Sequence, residues 1–348
     1  MSDLLKIRPT SKGLAGFFFI PLSILYGAAV RLRLFAYSLG FPRAQKTAGV
    51  KVISVGNITA GGTGKTPVVV MVVKMLGGKV AVVSRGYGRT SKEPVQIVSD
   101  GNKLLAEYPE AGDEAMVTAG ELKGTPVICS PNRNLGIGKA VKLGAKTVVL
   151  DDAFSHLSAH RDKNILLTDA LDPFGGKRLL PAGTLREPLS SIARADCVVI
   201  TRANFVSDEL LNAIREEIIG YAKKDVPLFL CDVEPANLTA PDGSFLPLSS
   251  LMGKNVALLS GLGSPVQFAE SVKKLGATVA RHFVFADHHR YNETEIRDAA
   301  NLVPDGEILL TTRKDLVRVP DALKNRFHIL SVEARVRDEK KFLDWLTS

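Results

Sequence analysis

The run Thr59, Ala60, Gly61, Gly62, Thr63, Gly64, Lys65, Thr66 combines the residue types that hold phosphate. Glycines let the backbone turn inward so that successive N–H groups face an anion, and the start of a helix adds positive potential there. In that geometry Lys65 reaches the β and γ phosphates of a nucleotide and Thr66 offers a hydroxyl to Mg2+. The strict phosphate-loop pattern has glycine where this chain has Thr59, but strand, glycines, GKT and helix occur in the required order. A glycine-rich turn carrying a surface lysine is the competing reading.

Six other groupings bear on chemistry. Asp151 and Asp152 end the apolar run TVVLDD, where a phosphate-loop protein holds Mg2+ directly or through water; elsewhere such a pair caps a turn. Asp113 and Glu114 begin a helix, either as carboxylates for a proton and a metal or as acids complementing the dipole. Asp287-His288-His289 lacks HxH or HxxxH metal spacing, and His156 and His160, four apart, have no third ligand to nominate. Arg186 offers a fork of donors to an oxyanion or a pair to Glu187, and Arg85, Tyr87 and Arg89 flank glycines in a turn after a strand.

The elements that must position these residues follow from an alternation of short β-rich runs with helical stretches. Strands are expected at 51–56, 79–86, 125–130, 147–152, 164–169 and 196–202, with helices at 64–76, 112–122 and 207–222. This is an α/β chain with a doubly wound parallel sheet, a phosphate-loop core over 49–225. Pro241-Asp242-Gly243 between two apolar runs marks a two-stranded linker over 226–250. A smaller α/β domain over 251–348 follows, with strands at 255–261, 278–285, 307–312 and 327–334 and a closing helix near 338–347.

Length and charge narrow the classes. The chain has 348 residues, 45% hydrophobic and 23% charged, which disfavours disorder and a polytopic membrane protein. Three scattered cysteines exclude a disulfide framework. The net charge is +9, of which residues 1–50 carry +6, from Lys6, Arg8, Lys12, Arg31, Arg33, Arg43 and Lys46 against Asp3. These cations flank the uncharged stretch 13–30 instead of clustering in the folded part, which suits an anionic membrane surface and not a nucleic acid. With Pro21 inside it and Arg31 and Arg33 following, residues 1–48 read as a helical segment lying in the membrane interface more than as a span, a signal peptide or a buried hairpin.

Taken together, VGNITAGGTGKTP, SRGYGR, GDEAMV, VLDDAFSH, LLPAGTLREPL, SGLGSPVQF, FADHHRY and TTRKDLVR, in that order, resemble the tetraacyldisaccharide 4′-kinases of lipid A biosynthesis. The likeness covers nearly the whole chain. It implies ATP and Mg2+ as cofactors and γ-phosphoryl transfer to the 4′-hydroxyl of a lipid-linked glucosamine disaccharide 1-phosphate. It also implies attachment at the cytoplasmic face of the bacterial inner membrane, with no obligate protein partner expected. By motif position, Asp113 is implied as catalytic base paired with His288, and Glu114, Asp151 and Asp152 as metal ligands; beside them the residue reading itself offers Lys65 for the transferring phosphate, Thr66 for Mg2+ and Arg186 for a phosphate or developing charge. The chain departs from the family at Ala153, Ser155 and Leu157, where Gly, Gln and Arg are common, and at Arg313, where an acid is usual. A membrane-tethered nucleotide switch or a soluble kinase of a small metabolite would share the phosphate loop without the rest.

Overall fold

The computed structural model describes residues 19–348. Lys6, Arg8, Lys12 and the first part of the apolar stretch therefore lie outside the described residues. Among those described, thirteen strands form one sheet. In chain order they are β1 (Lys51–Gly56), β2 (Val80–Ser84), β3 (Gln96–Asp100), β4 (Pro126–Cys129), β5 (Thr147–Asp151), β6 (Lys163–Asp169), β7 (Cys197–Thr201), β8 (Leu228–Thr239), β9 (Phe245–Leu246), β10 (Asn255–Ser260), β11 (Thr278–Val284), β12 (Ile308–Thr312) and β13 (His328–Val336).

The spatial order is β11-β10-β12-β13-β8-β7-β6-β1-β5-β2-β4-β3, with β9 folded back on β8. Pairing is parallel throughout except for β3 with β4, β8 with β9, and β8 with β13. The central strands are buried on both faces, which is why β1 and β2 show no alternation of buried and exposed residues, even Ser54 and Ser84 being buried. The ribbon expected after residue 226 is the β8–β9 hairpin, turned at Pro241-Asp242-Gly243. The sequence runs do not include the edge strand β3 or the helix Arg133–Lys142. That helix carries three glycine or asparagine positions, whose weak helix propensity conceals it.

β8 and β13 pair antiparallel from Cys231↔Val336 to Thr239↔Ile329 and so fuse the phosphate-loop half to the later half. After β13 the chain does not remain there. Its last helix, Glu339–Thr347, sends Phe342 and Leu346 into the same core as Val68 to Val73 of the phosphate-loop helix. That helix, Lys65–Leu76, is rich in β-branched valine, a poor helix former, and is held by burial on nearly every side.

Near the N-terminus the helix Ile20–Ser38 is long and apolar enough to cross a membrane, and only 6% of it is buried. Leu22, Ile24, Leu25, Leu32 and Phe35 are all exposed. One strip touches the protein: Ser23 Oγ donates to Leu179 O, Tyr26 OH to Arg186 O at 2.8 Å, and Arg33 to Ser155 O. Gly27 faces Leu179 so closely that a Cβ there would sit 2.8 Å from its methyl.

Candidate active site

The phosphate loop leaves β1 and enters its helix through Gly64, whose φ of 73° is left-handed and suits only glycine without strain. Asn57 ties the loop's start by donating to Thr59 O and Oγ1, and Ala60 N donates to Thr184 O. The segment 179–189 thus forms a second wall, bridged at Thr59 and Leu185. Lys65 Nζ lies 3.5 Å from Asn57 Oδ1 and Gly61 O and 3.8 Å from Asp152 Oδ1. Lys65, Thr66 and Glu114 open together on a cleft of about 600 Å3 between the two halves, which Asp287 and Lys314 close from the other side.

Asp151 and Asp152 stand at the end of β5 beside this loop, with opposite electrostatics. Burial raises Asp152, yet Lys65 and then Arg186 outweigh it and hold the carboxyl below its ordinary range. Arg186 Nη1 reaches its two oxygens at 3.2 and 3.0 Å. Asp151 is 3% exposed; burial, with the charges of Glu114 and Asp152, pushes it up to about 7. Its Oδ1 is buried without a hydrogen-bond partner. An orphaned carboxylate oxygen facing two further acids is a place a hard cation relieves, so these residues fit Mg2+. No three His, Cys, Asp or Glu side chains among the described residues converge enough to hold a metal alone, so a cation held here would also take oxygens from nucleotide and water. Asp152 is itself held at φ 47°, an unfavourable conformation for a non-glycine residue and one that recurs at functional sites.

Asp113 begins the helix Asp113–Glu121, and its Oδ1 accepts from Glu114 N at 2.9 Å. The preceding Gly112 abuts the SRGYGR turn so tightly that a Cβ would lie 2.3 Å from Tyr87 O. Asp113 Oδ2 meets His288 Nδ1 at 2.9 Å across the cleft. Burial raises the Asp113 carboxyl, but the His288 hydrogen bond and the charges of Lys314 and Arg318 lower it further than burial lifts it. His288 has φ 60° and its ring lies 5.2 Å from that of Tyr87. The neighbouring His289 serves structure: it pairs with Glu295, which caps the following helix with Asn292.

The sequence signals therefore divide. Lys65, Asp152 and Arg186 converge, as do Asp113 and His288, with Glu114 and Thr66 on the same cleft. Arg186 pairs with Asp152, not Glu187, which binds Arg194. Arg89 bonds backbone carbonyls of Cys129 and Glu93, and His160 pairs with Asp162. His156 is driven down to about 4, by burial first and then by four arginines.

The family model described as tetraacyldisaccharide-1-P 4′-kinase matches residues 15–348. The chain belongs to that family. It is 38% identical to a tetraacyldisaccharide 4′-kinase of Halothermothrix orenii over 85% of this chain and 81% of that protein. The Syntrophus aciditrophicus protein of the same name is 36% identical over 92% of this chain and 89% of its own. A crystal structure of LpxK from Aquifex aeolicus in complex with ATP superposes with a TM-score of 0.78 at 33% identity, covering 96% of this chain and 99% of that one.

Three residues of this family member escaped the sequence reading. Arg318, wholly buried, approaches Asp113 Oδ2 at 3.6 Å while bonding Asp315 and Gly261 O. Lys314 contacts Glu114 and His288. Arg202, at the end of β7 with φ 58°, binds Asp169, Gly62 O of the phosphate loop and Gln267 of the later half. The signal for the first two lay in TTRKDLVR, where spacing puts Lys314 and Arg318 one helical turn apart on one face. The family departure Arg313 has a partner of its own: it pairs with Glu121 at 2.6 Å, adding a tie between the halves.

Proposed function

We propose that the chain transfers the γ-phosphoryl group of ATP to the 4′-hydroxyl of a tetraacyldisaccharide 1-phosphate at the surface of a membrane. The observation that carries this reading is the Asp113–His288 pair, drawn from opposite halves, beside the cleft that Lys65, Thr66 and Glu114 line with Asp287 and Lys314. Asp113 accepts the proton of the attacking hydroxyl as its oxygen bonds to the γ-phosphorus. The β–γ bridging bond breaks and ADP leaves with the electron pair. A carboxylate below its ordinary range is a weak base, but a loose phosphoryl transition state demands little proton transfer before attack, so positioning dominates. His288 orients that carboxylate. Lys65 stabilises charge on the transferring group and Arg186 fixes Asp152. Thr66, Glu114, Asp151 and Asp152 would hold Mg2+, which when bound neutralises phosphate charge.

The acceptor lipid suits the exposed apolar face of the helix Ile20–Ser38, whose Tyr26 hydrogen-bonds the backbone of Arg186. We assign that helix to the cytoplasmic membrane surface, where it brings lipid to the phosphate loop. The decisive experiment supplies γ-labelled ATP, Mg2+, detergent and a lipid A precursor. Label moving to lipid is expected; phosphate released to water without lipid labelling would favour a nucleotide switch.

A further inference from the structure

Lys314 stands in the cleft where the two halves meet. Its Nζ lies 3.4 Å from Glu114 Oε1, 3.4 Å from His288 Nε2 and 3.7 Å from Asp287 Oδ1. Two carboxylates from different halves therefore fix the ammonium against the imidazole. An ammonium has three N–H donors and no lone pair. The other group facing that ring nitrogen, Asp287 Oδ1, lies 3.9 Å away and beyond hydrogen-bond reach, so Nε2 accepts from the ammonium and the ring's proton resides on Nδ1.

Nδ1 is the atom that faces Asp113 Oδ2 at 2.9 Å. With the proton there, Nδ1–H donates and the Asp113 carboxylate accepts. The opposite tautomer would set two lone pairs against each other at Asp113 and two N–H groups against each other at Lys314. Hydrogen bonding thus runs in one direction, from Lys314 through His288 to Asp113. Arg318 approaches the same Asp113 oxygen at 3.6 Å but touches Gly261, Asp315 and His289 backbone, not the His288 ring, so it cannot set the tautomer.

We infer that Lys314 is a positioning residue of the phosphoryl transfer: it holds His288 as the Nδ1–H tautomer, so that Asp113 keeps its second lone-pair sites for the acceptor hydroxyl. The inference rests on the reading of Asp113 as base and His288 as its orienter. Because Lys314 and His288 come from the later half and Asp113 from the phosphate-loop half, this polarity exists only when the two halves meet.

The test uses the full chain in detergent with 15N-labelled histidine, the His288 signals being identified by their loss in His288→Gln. The wild-type ring should show protonated Nδ1 and unprotonated Nε2. In Lys314→Met, which keeps the stem and removes the donors, that bias should fall and kcat should drop about 10–100-fold, by analogy with removing the hydrogen-bond partner that orients a metal-ligating imidazole. KM for ATP should stay near wild type, and Lys314→Arg should recover part of kcat. Adding Lys314→Met to His288→Ala should cost nothing further. A wild-type ring protonated on Nε2, an unaltered 15N pattern in a folded Lys314→Met, a defect confined to KM, or multiplying defects in the double variant would each overturn it. Full lipid transfer by Asp113→Ala or His288→Ala would instead sink the parent reading, while the 15N pattern needs no turnover and still decides the tautomer.

Discussion

Single side chains in this cleft are tuned in opposite directions, and two predictions belong at that scale. Lys65 is the cation nearest Asp152 in the phosphate loop. Lys65→Ala should lower kcat by about 10²–10³-fold, the usual consequence of deleting one preorganised electrostatic contact. A folded Lys65→Ala variant with an unchanged rate, in the labelled-ATP assay, would remove the loop from the mechanism. The second concerns pH. His156 and His282 are both lowered to about 4, chiefly by burial. The unfolded chain binds their protons near pH 6.5 while the native state does so only near 4, so the stability they confer is full above 6.5 and lost as pH falls through that window. Asp151, raised to about 7, acts in the opposite sense, favouring the metal-free native state as pH falls below 7. The two senses are separated by comparison: melting temperature of His156→Gln/His282→Gln minus that of wild type should grow as pH falls from 6.5 to 4.5. A difference that stays flat would show that these rings are not held neutral.

At the scale of the element, the helix Ile20–Ser38 meets the rest of the protein through very few contacts, and its proposed role is to anchor the chain at a membrane. Its hold on the protein is Ser23, Tyr26, Gly27 and Arg33, while Leu25, Leu32 and Phe35 are 60–69% exposed. Charges at exposed positions cost the fold little but oppose insertion among acyl chains. Leu25→Glu/Leu32→Glu/Phe35→Glu should release the protein from anionic vesicles in a flotation assay and depress transfer to vesicle-embedded lipid, with melting temperature within a few degrees of wild type, about the range of a sub-kcal/mol change. Full vesicle binding by this variant would mean that the helix is not the anchor.

The whole molecule is one sheet whose two halves are sewn together twice, by β8 against β13 and by the last helix returning to the first core. Phe342 is fully buried there, its ring 5.0 Å from that of Phe229 on β8. Phe342→Ala should lose about 3–5 kcal/mol in chemical denaturation, the usual cost of emptying a phenylalanine site. A loss near zero would show that the last helix is only draped on the surface. What the sequence alone determined follows from local chemistry: periodicity placed β1, β5 and β10, and glycine spacing with GKT placed the loop and its helix. The apolar run marked an exposed apolar helix, and the ordered motifs marked the family. The tertiary structure alone decided which acids and bases meet. Asp113 and His288 are 175 residues apart and hydrogen-bonded, and nothing in either motif says that Arg186 pairs with Asp152 and not Glu187. Lys314 and Arg318 read as ordinary charges on a short helix, since their importance comes from a neighbour across the cleft. Periodicity reports the face a residue presents within its own element; a pair such as Asp113 and His288 is set by how β8 and β13 bring the two halves together, and no local pattern encodes that distance.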